Sequence, residues 1–314
     1  MSLGDNALVD ILLLETLLLY GAITGAVYAL LALGFTLIYG VAEVVNMAHG
    51  ALFMLGAYMF FAFSLAPKNP PLGIASPFAL EPGLALIAAM IFVGIVGSII
   101  YVLVINPVIK DVLASIVVTV ALAIVLQQAV YIEFGGTHRP VLPFVSGSTI
   151  ILGVTMTYTK LLAFGTSLIL FAIIALFMWK AKIGKAMRAT AQDREAAMLM
   201  GVNTTRICML TMFISASLAA LAGILIAGST AQPANPQMWL TPLSMSFAIV
   251  ILGGLGSIKG TFIGAFVVGY AENAVALLIP GGSFLKGAVA LATMVAVLLI
   301  RPKGLFGKRI ELEE

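Results

Sequence analysis

The side chains able to do chemistry are few and sit in three kinds of place. Glu272 and Asn273, in GYAENAV, set a carboxyl beside an amide inside a long apolar run. Asn46 and His49, in N-M-A-H-G, and the adjacent Gln127 and Gln128 add neutral hydrogen-bonding groups near other apolar runs. The third place is polar: RATAQDREAAMLMGVNTTRI, residues 188–207, carries Arg188, Asp193, Arg194 and Glu195 among alanines. Amides, an imidazole and a carboxyl can line a route for a polar, net-neutral solute. The same groups also hydrogen-bond helix to helix inside membrane bundles. An ionised group at such depth is costly and faces a cavity or a partner. These six, Asn46, His49, Gln127, Gln128, Glu272 and Asn273, are the candidate translocation path.

Bond-making chemistry finds little to work with. His49 and His138 are the only histidines and lie in different regions, with no H-E-x-x-H and no paired-cysteine motif. The G-x-x-x-x-G-K-[ST] loop that cradles ATP is missing too. No catalytic residue, metal or cofactor is therefore expected. A proton- or sodium-driven carrier would carry more buried carboxylates. The one cysteine, Cys208, excludes an intrachain disulfide and reads as a small buried hydrophobe.

The setting of these residues is a membrane. The chain is 62% hydrophobic and 9% charged, against about 25% charged residues in a soluble domain, and its mean hydropathy is +1.16. The start, MSLGDNALVD, lacks a basic segment and a small-residue cleavage site, so the first apolar run is expected to stay in the mature protein. A span takes about 20 mainly apolar residues. Candidates fall near 10–40, 47–66, 83–105, 112–132, 160–180, 207–229, 243–256, 260–279 and 284–300. The first is too long for one ordinary span and too short for two, so eight to ten spans are expected. The predicted fold class is all-α: one polytopic bundle over residues 1–314 with a cytoplasmic coupling helix.

Lys and Arg in short loops mark the cytoplasmic side. Residues 180–206 hold Lys180, Lys182, Lys185, Arg188, Arg194 and Arg206 against Asp193 and Glu195, a net +4. The tail at 301–314 holds Arg301, Lys303, Lys308 and Arg309. Both are expected in the cytoplasm, with Lys110 and Lys259 on the same side. The loops 67–82, 133–159 and 230–242, poor in Lys and Arg, fall outside. Gly21–Gly25 and Gly260–Gly264 are small-residue pairs at the spacing that lets helix backbones approach, read as span packing before a dimer seam. Two glycine-broken stretches, YGVAEVVNMAHGALFMLG and LGGLGSIKGTFIGAF, sit in corresponding places of the two halves and hint at an internal structural repeat.

Within the polar stretch, Ala186 to Leu199 favours helix. Gly201 can end that helix in a left-handed turn, and Asn203-Thr204-Thr205 can cap the next. Ala189, Ala196, Ala197 and Met200 offer small or apolar contact surface; Arg188, Asp193, Arg194 and Glu195 offer charge. Contact with anionic lipid explains the lysines at 180–185, but not Glu-Ala-Ala followed after three residues by Gly.

EAAMLMG, Glu195 to Gly201, resembles the E-A-A-x-x-x-G core of ABC importer membrane subunits, though the I-x-L-P that often follows is missing. YALLALGFTLIYGVAEVVNMAHGALFMLGAY, residues 28–58, resembles the first half of the LivH-type branched-chain amino acid permeases. GKAMRATAQDREAAMLMGVNTTRI, ILGGLGSIKGTFIGAFVVGYAEN and RPKGLFG resemble that family's later signatures, in order.

The resemblance implies a plasma-membrane permease subunit moving leucine, isoleucine or valine; related permeases move urea or short amides. It implies a substrate-binding protein outside, a LivM-like second permease subunit and two ATPase subunits on the cytoplasmic face. Membrane lipid is a further partner, and no nucleic acid is expected. Asp193 through Gly201 match the coupling segment that docks in the ATPase groove, Glu195 and Gly201 most specifically, with Arg188, Arg194, Ala196 and Ala197 beside them. Asn46, Ala48, His49 and Gly50 match the family's N-x-A-H-G stretch, and Gln127, Glu272 and Asn273 have counterparts. A stand-alone channel or secondary transporter is the competing reading.

Overall fold

The structure, a computed structural model, describes residues 3–64, 80–136, 145, 147–230 and 234–307. His138, most of the loop 67–82, part of 133–159 and the last residues of the tail lie outside the described residues. Helices dominate: α1 (Leu3–Ala42), α2 (His49–Ser64), α3 (Pro82–Ile100), α4 (Asn106–Val108), α5 (Val112–Phe134), α6 (Tyr158–Lys180), α7 (Lys182–Gln192), α8 (Arg194–Leu199), α9 (Thr204–Thr230), α10 (Leu240–Gly253), α11 (Ile258–Leu278) and α12 (Lys286–Ile300). A π-helical turn, Tyr101–Ile105, joins α3 to α4. A small antiparallel hairpin, β1 (Ser148–Ile151) and β2 (Val154–Thr157), lies in the segment read from sequence as a loop.

Among the described residues, 7 helices are long and apolar enough to cross a membrane. Two shorter apolar helices, α2 and α10, are tucked into the bundle. The uncertain first region is one continuous helix, because neither Gly21 nor Gly25 breaks it; both serve packing instead. Helices suit this setting because each backbone group finds its partner within the segment.

Burial sorts the helices. α1, α2, α9 and α10 form the centre, where Leu30, Leu31, Phe35, Leu52, Tyr58, Leu221 and Ile249 are buried. α3, α5, α6 and α12 stand outside and turn Leu113, Ile132, Ile169 and Leu299 outward. Apolar side chains facing away from the core are what lipid contact requires. Hydroxyls on these outer helices bond their own helix: Thr166 to Leu162 O and Thr293 to Val289 O. No polar hydrogen at these positions is left to the hydrocarbon.

α1 is the axis. It packs most extensively along α11, and also against α9, α6 and α10. Gly21 lies under the Tyr270 ring and Gly25 against the Phe266 backbone. A Cβ on Gly269 would stand 2.6 Å from the Gly25 nitrogen. The second pair, Gly260–Gly264, packs against Gly253 and Ile249 of α10. Both small-residue pairs are thus spent on packing within the chain.

One end of the bundle gathers the basic segments. The tail lies against the end of α10, with Leu305 N–H donating to Leu252 O at 2.8 Å and Phe306 N–H to Gly253 O at 3.0 Å. The α10–α11 turn meets the end of α1 at Gly40 and Gly256, so the two glycine-broken stretches come together there. Lys259 and Arg188 line one cleft at this same end. Lys259, the polar segment and the start of the tail, which with Lys110 were expected on the cytoplasmic side, thus lie at one end of the bundle.

Gly269→Val is expected to lower stability by the about 1–3 kcal/mol typical of overpacking. Thermal unfolding of the detergent-solubilised chain measures this; an unchanged midpoint would mean that α1 and α11 are not tightly seated.

Candidate functional site

The polar segment is an elbow. Sequence propensity favoured one helix from Ala186 to Leu199, but the chain breaks at Asp193, whose backbone is extended at φ −156° and ψ 110°. Asp193 stops α7 and starts α8: its Oδ1 accepts from the N–H of Glu195 and of Ala196, each at 2.9 Å. Aspartate is among the strongest N-capping residues, so the break has a local cause. Gly201 closes α8 at φ +83°. Its N–H donates to Met198 O and that of Val202 to Ala197 O, satisfying carbonyls at the helix end. Asn203 Oδ1 then accepts from Arg206 N–H at 3.0 Å and caps α9.

The elbow has an inner and an outer side. Ala197 points inward and is buried, so it is not contact surface as its composition suggested. Arg194 is half-buried and lies beside the Tyr101 hydroxyl at the π-helical turn, which also neighbours Cys208 of α9. Arg188 is exposed and donates to Trp179 O at 3.2 Å. Asp193, Glu195, Ala196 and Gly201 face outward. Beyond them Leu199 is 88% and Met200 84% exposed. These two large apolar side chains form an exposed knob at the end of a charged elbow. Leu199 was missed in the sequence, although an apolar pair just before a helix-ending glycine in a charged stretch was the available signal.

The candidate path residues fall into three separate clusters. Glu272 is fully buried; its Oε2 accepts from Tyr28 O–H at 2.9 Å while Oε1 has no partner among the described residues. Asn273 donates to Thr24 Oγ1 at 3.1 Å and Gly269 O at 2.7 Å. With Thr36–Thr261 at 2.6 Å these bonds tie α1 to α11 along its length. At the start of α2, Asn46 Oδ1 accepts from Ala48 N–H at 3.0 Å, and its amide reaches Met212 Sδ at 3.7 Å. His49 Nε2 lies 2.9 Å from Leu31 O, with Phe35 edge-on to its ring. Gln127 accepts from the Trp239 indole at 2.6 Å, while Gln128 is exposed on the outer face of α5. Partners such as Tyr28, Thr24 and Trp239 were invisible in the sequence, because the pairs are separated by more than 100 residues.

No group of three or more metal-ligating side chains exists among the described residues. What the geometry offers is a helix bundle tied by buried hydrogen bonds and an exposed elbow joined to two of its long helices.

Comparison with known proteins gives a consistent result. Residues 17–298 match the family model described as "Branched-chain amino acid transport system / permease component". The chain is 30% identical over 306 residues to the high-affinity branched-chain amino acid transport system permease protein BraD of Pseudomonas aeruginosa, covering 93% of this chain and 95% of that one. The corresponding LivH proteins of Salmonella typhimurium and Escherichia coli K12 are 30% and 28% identical, each covering 92% of this chain and 94% of the relative.

Tyr28→Phe is expected to destabilise by about 1–3 kcal/mol, since it strips the buried Glu272 of the one hydrogen bond it makes among the described residues. Adding Glu272→Leu should recover most of that loss, because both polar partners are then gone. Thermal midpoints of the single and double variants decide; a double variant as unstable as the single one would refute the pairing.

Proposed function

The chain belongs to the branched-chain amino acid transport system permease family, and from that membership we propose that it is the membrane-spanning subunit of an ABC importer. Leucine, isoleucine and valine are its proposed solutes, supported by the names of relatives that it matches over nearly their whole length. ATP is hydrolysed in separate subunits, two ATPases on the cytoplasmic face. A binding protein outside delivers the solute, and a LivM-like second permease subunit completes the route. The basic end of the bundle, with the tail, faces the cytoplasm, as Lys and Arg in short loops favour.

The observation that carries the coupling assignment is the α7–α8 elbow with its exposed Leu199–Met200 knob. The knob seats in the ATPase groove, with Asp193 and Glu195 as charged contacts beside it. Arg194 reaches back to Tyr101 and so joins the elbow to α3 and α9. Motion of the ATPases then reaches the spans through packed side chains. Coupling of this kind requires that the elbow make different contacts in the two states of the machine.

The proposed path follows the polar side chains around α1. In this conformation Glu272, Asn273, Asn46, His49 and Gln127 are engaged in contacts inside the bundle. A solute meets them only once those pairs part. The apolar side chains of the solutes suit a route with few charges, where the neutral amides and the hydroxyls take the polar ends.

Glu195→Arg is expected to abolish ATP-dependent leucine uptake in vesicles carrying the whole transporter, a loss of at least about tenfold, while insertion and thermal stability stay unchanged. The exposure of Glu195 on the elbow motivates this. Full uptake by the variant would remove the coupling assignment.

A further inference from the structure

At the basic end, a cleft of about 280 Å³ opens between the end of α1, the end of α6, α7 and the α10–α11 turn. Two cationic side chains from different elements line it, Arg188 of α7 and Lys259 of α11, with Gln192 and Ser257 between them in chemistry. Among the described residues no acidic side chain lines it. Arg188 gives one guanidinium nitrogen to Trp179 O, which leaves donors over. Lys259 is exposed and forms no ion pair among the described residues. The mouth also holds the start of α11, a helix of 21 residues whose Ser257 cap accepts from Gly260 N–H. The N–H groups of Ile258 and Lys259 have no acceptor within that helix, so they add to the positive field.

Apart from Thr36, whose hydroxyl pairs with Thr261, the rest of the wall is apolar, with Leu37 and Val41 of α1 and Met178 of α6. Cations over an apolar wall, at the level where the spans end, match a phosphate ester carried on a greasy body. The volume lies just under the range of about 300–1,000 Å³ typical of drug-sized ligands, enough for a headgroup and not for a whole lipid. Basic pockets between spans at the membrane surface bind anionic headgroups in this way. We propose that this cleft is a specific binding site for the phosphodiester headgroup of an anionic phospholipid. It joins α7 to α1 and α11, so a bound headgroup holds the elbow against the seam of the bundle. The proposal stands whether or not the transport reading is right.

The test is thermal unfolding of the purified full chain in neutral detergent, titrated with dihexanoyl phosphatidylglycerol. A saturable rise in midpoint is expected, with the apparent affinity falling by about fivefold in Lys259→Gln, as the loss of one basic contact to a headgroup predicts. Lys182→Gln, outside the cleft, should respond as the unaltered chain does. Dihexanoyl phosphatidylcholine and inorganic phosphate should each give little or no rise. An equal rise with phosphatidylcholine would mean that the wall alone binds, and overturns the proposal. An equal rise with inorganic phosphate would make it a free-phosphate site and overturn the lipid assignment. No rise, or the same response in Lys259→Gln, overturns it outright.

Discussion

The approach of α1 to α11 at Gly25 and Gly269 is the constraint on which the rest of the bundle hangs. Lipid gives helices no hydrophobic reason to associate, so association rests on close packing and on hydrogen bonds between helices. Here the glycines let the backbones meet, and the meeting places Tyr28 on Glu272, Thr24 on Asn273 and Thr36 on Thr261. A bulky residue at either glycine would hold those pairs apart. The buried carboxyl is tolerable only because the seam supplies it with a donor.

Around this seam the molecule divides its polar groups by purpose. Those inside are neutral or buried and pair across helices. Most of the basic side chains among the described residues gather at one end, on α7, α8, the α10–α11 turn and the start of the tail. In the proposed coupling, a motion of the elbow passes inward where Arg194 lies beside Tyr101, between α3 and α9. The π-helical turn at Tyr101–Ile105 lies on that route, and such turns are frequent where a helix must serve a function as well as a fold.

Much of this was legible in the residues, and the failures have physical causes. The long spans from 83 onward follow from apolar run length alone, since lipid admits little else, whereas the 243–256 candidate is the short helix Leu240–Gly253. The Gly201 turn and the Asn203 cap were readable because both depend on local chemistry. The Asp193 break was not read, because propensity summed over a window hides one strong capping residue in its middle. The division of 10–40 also failed to yield: a glycine in an apolar run can break a helix or pack it, and only the neighbour, α11, decides. The hairpin at Ser148–Thr157 lacks length and strong alternation. For the path candidates, residue type showed that each needed a partner but not which one. That explains why the six emerged as three clusters and not as one lining. Family resemblance supplied the elbow's proposed role, whereas the exposure of Leu199 and Met200 depends on how α8 packs against the bundle.

The central claim is that the elbow is where an ATPase acts on the bundle. Affinity purification of the tagged chain from its native membrane in gentle detergent, with identification of what comes with it, tests this most directly. The account predicts that an ATPase subunit is recovered, and that it is lost when Leu199 and Met200 are both replaced by aspartate. A chain that emerges alone and still conducts leucine in liposomes without ATP would contradict it.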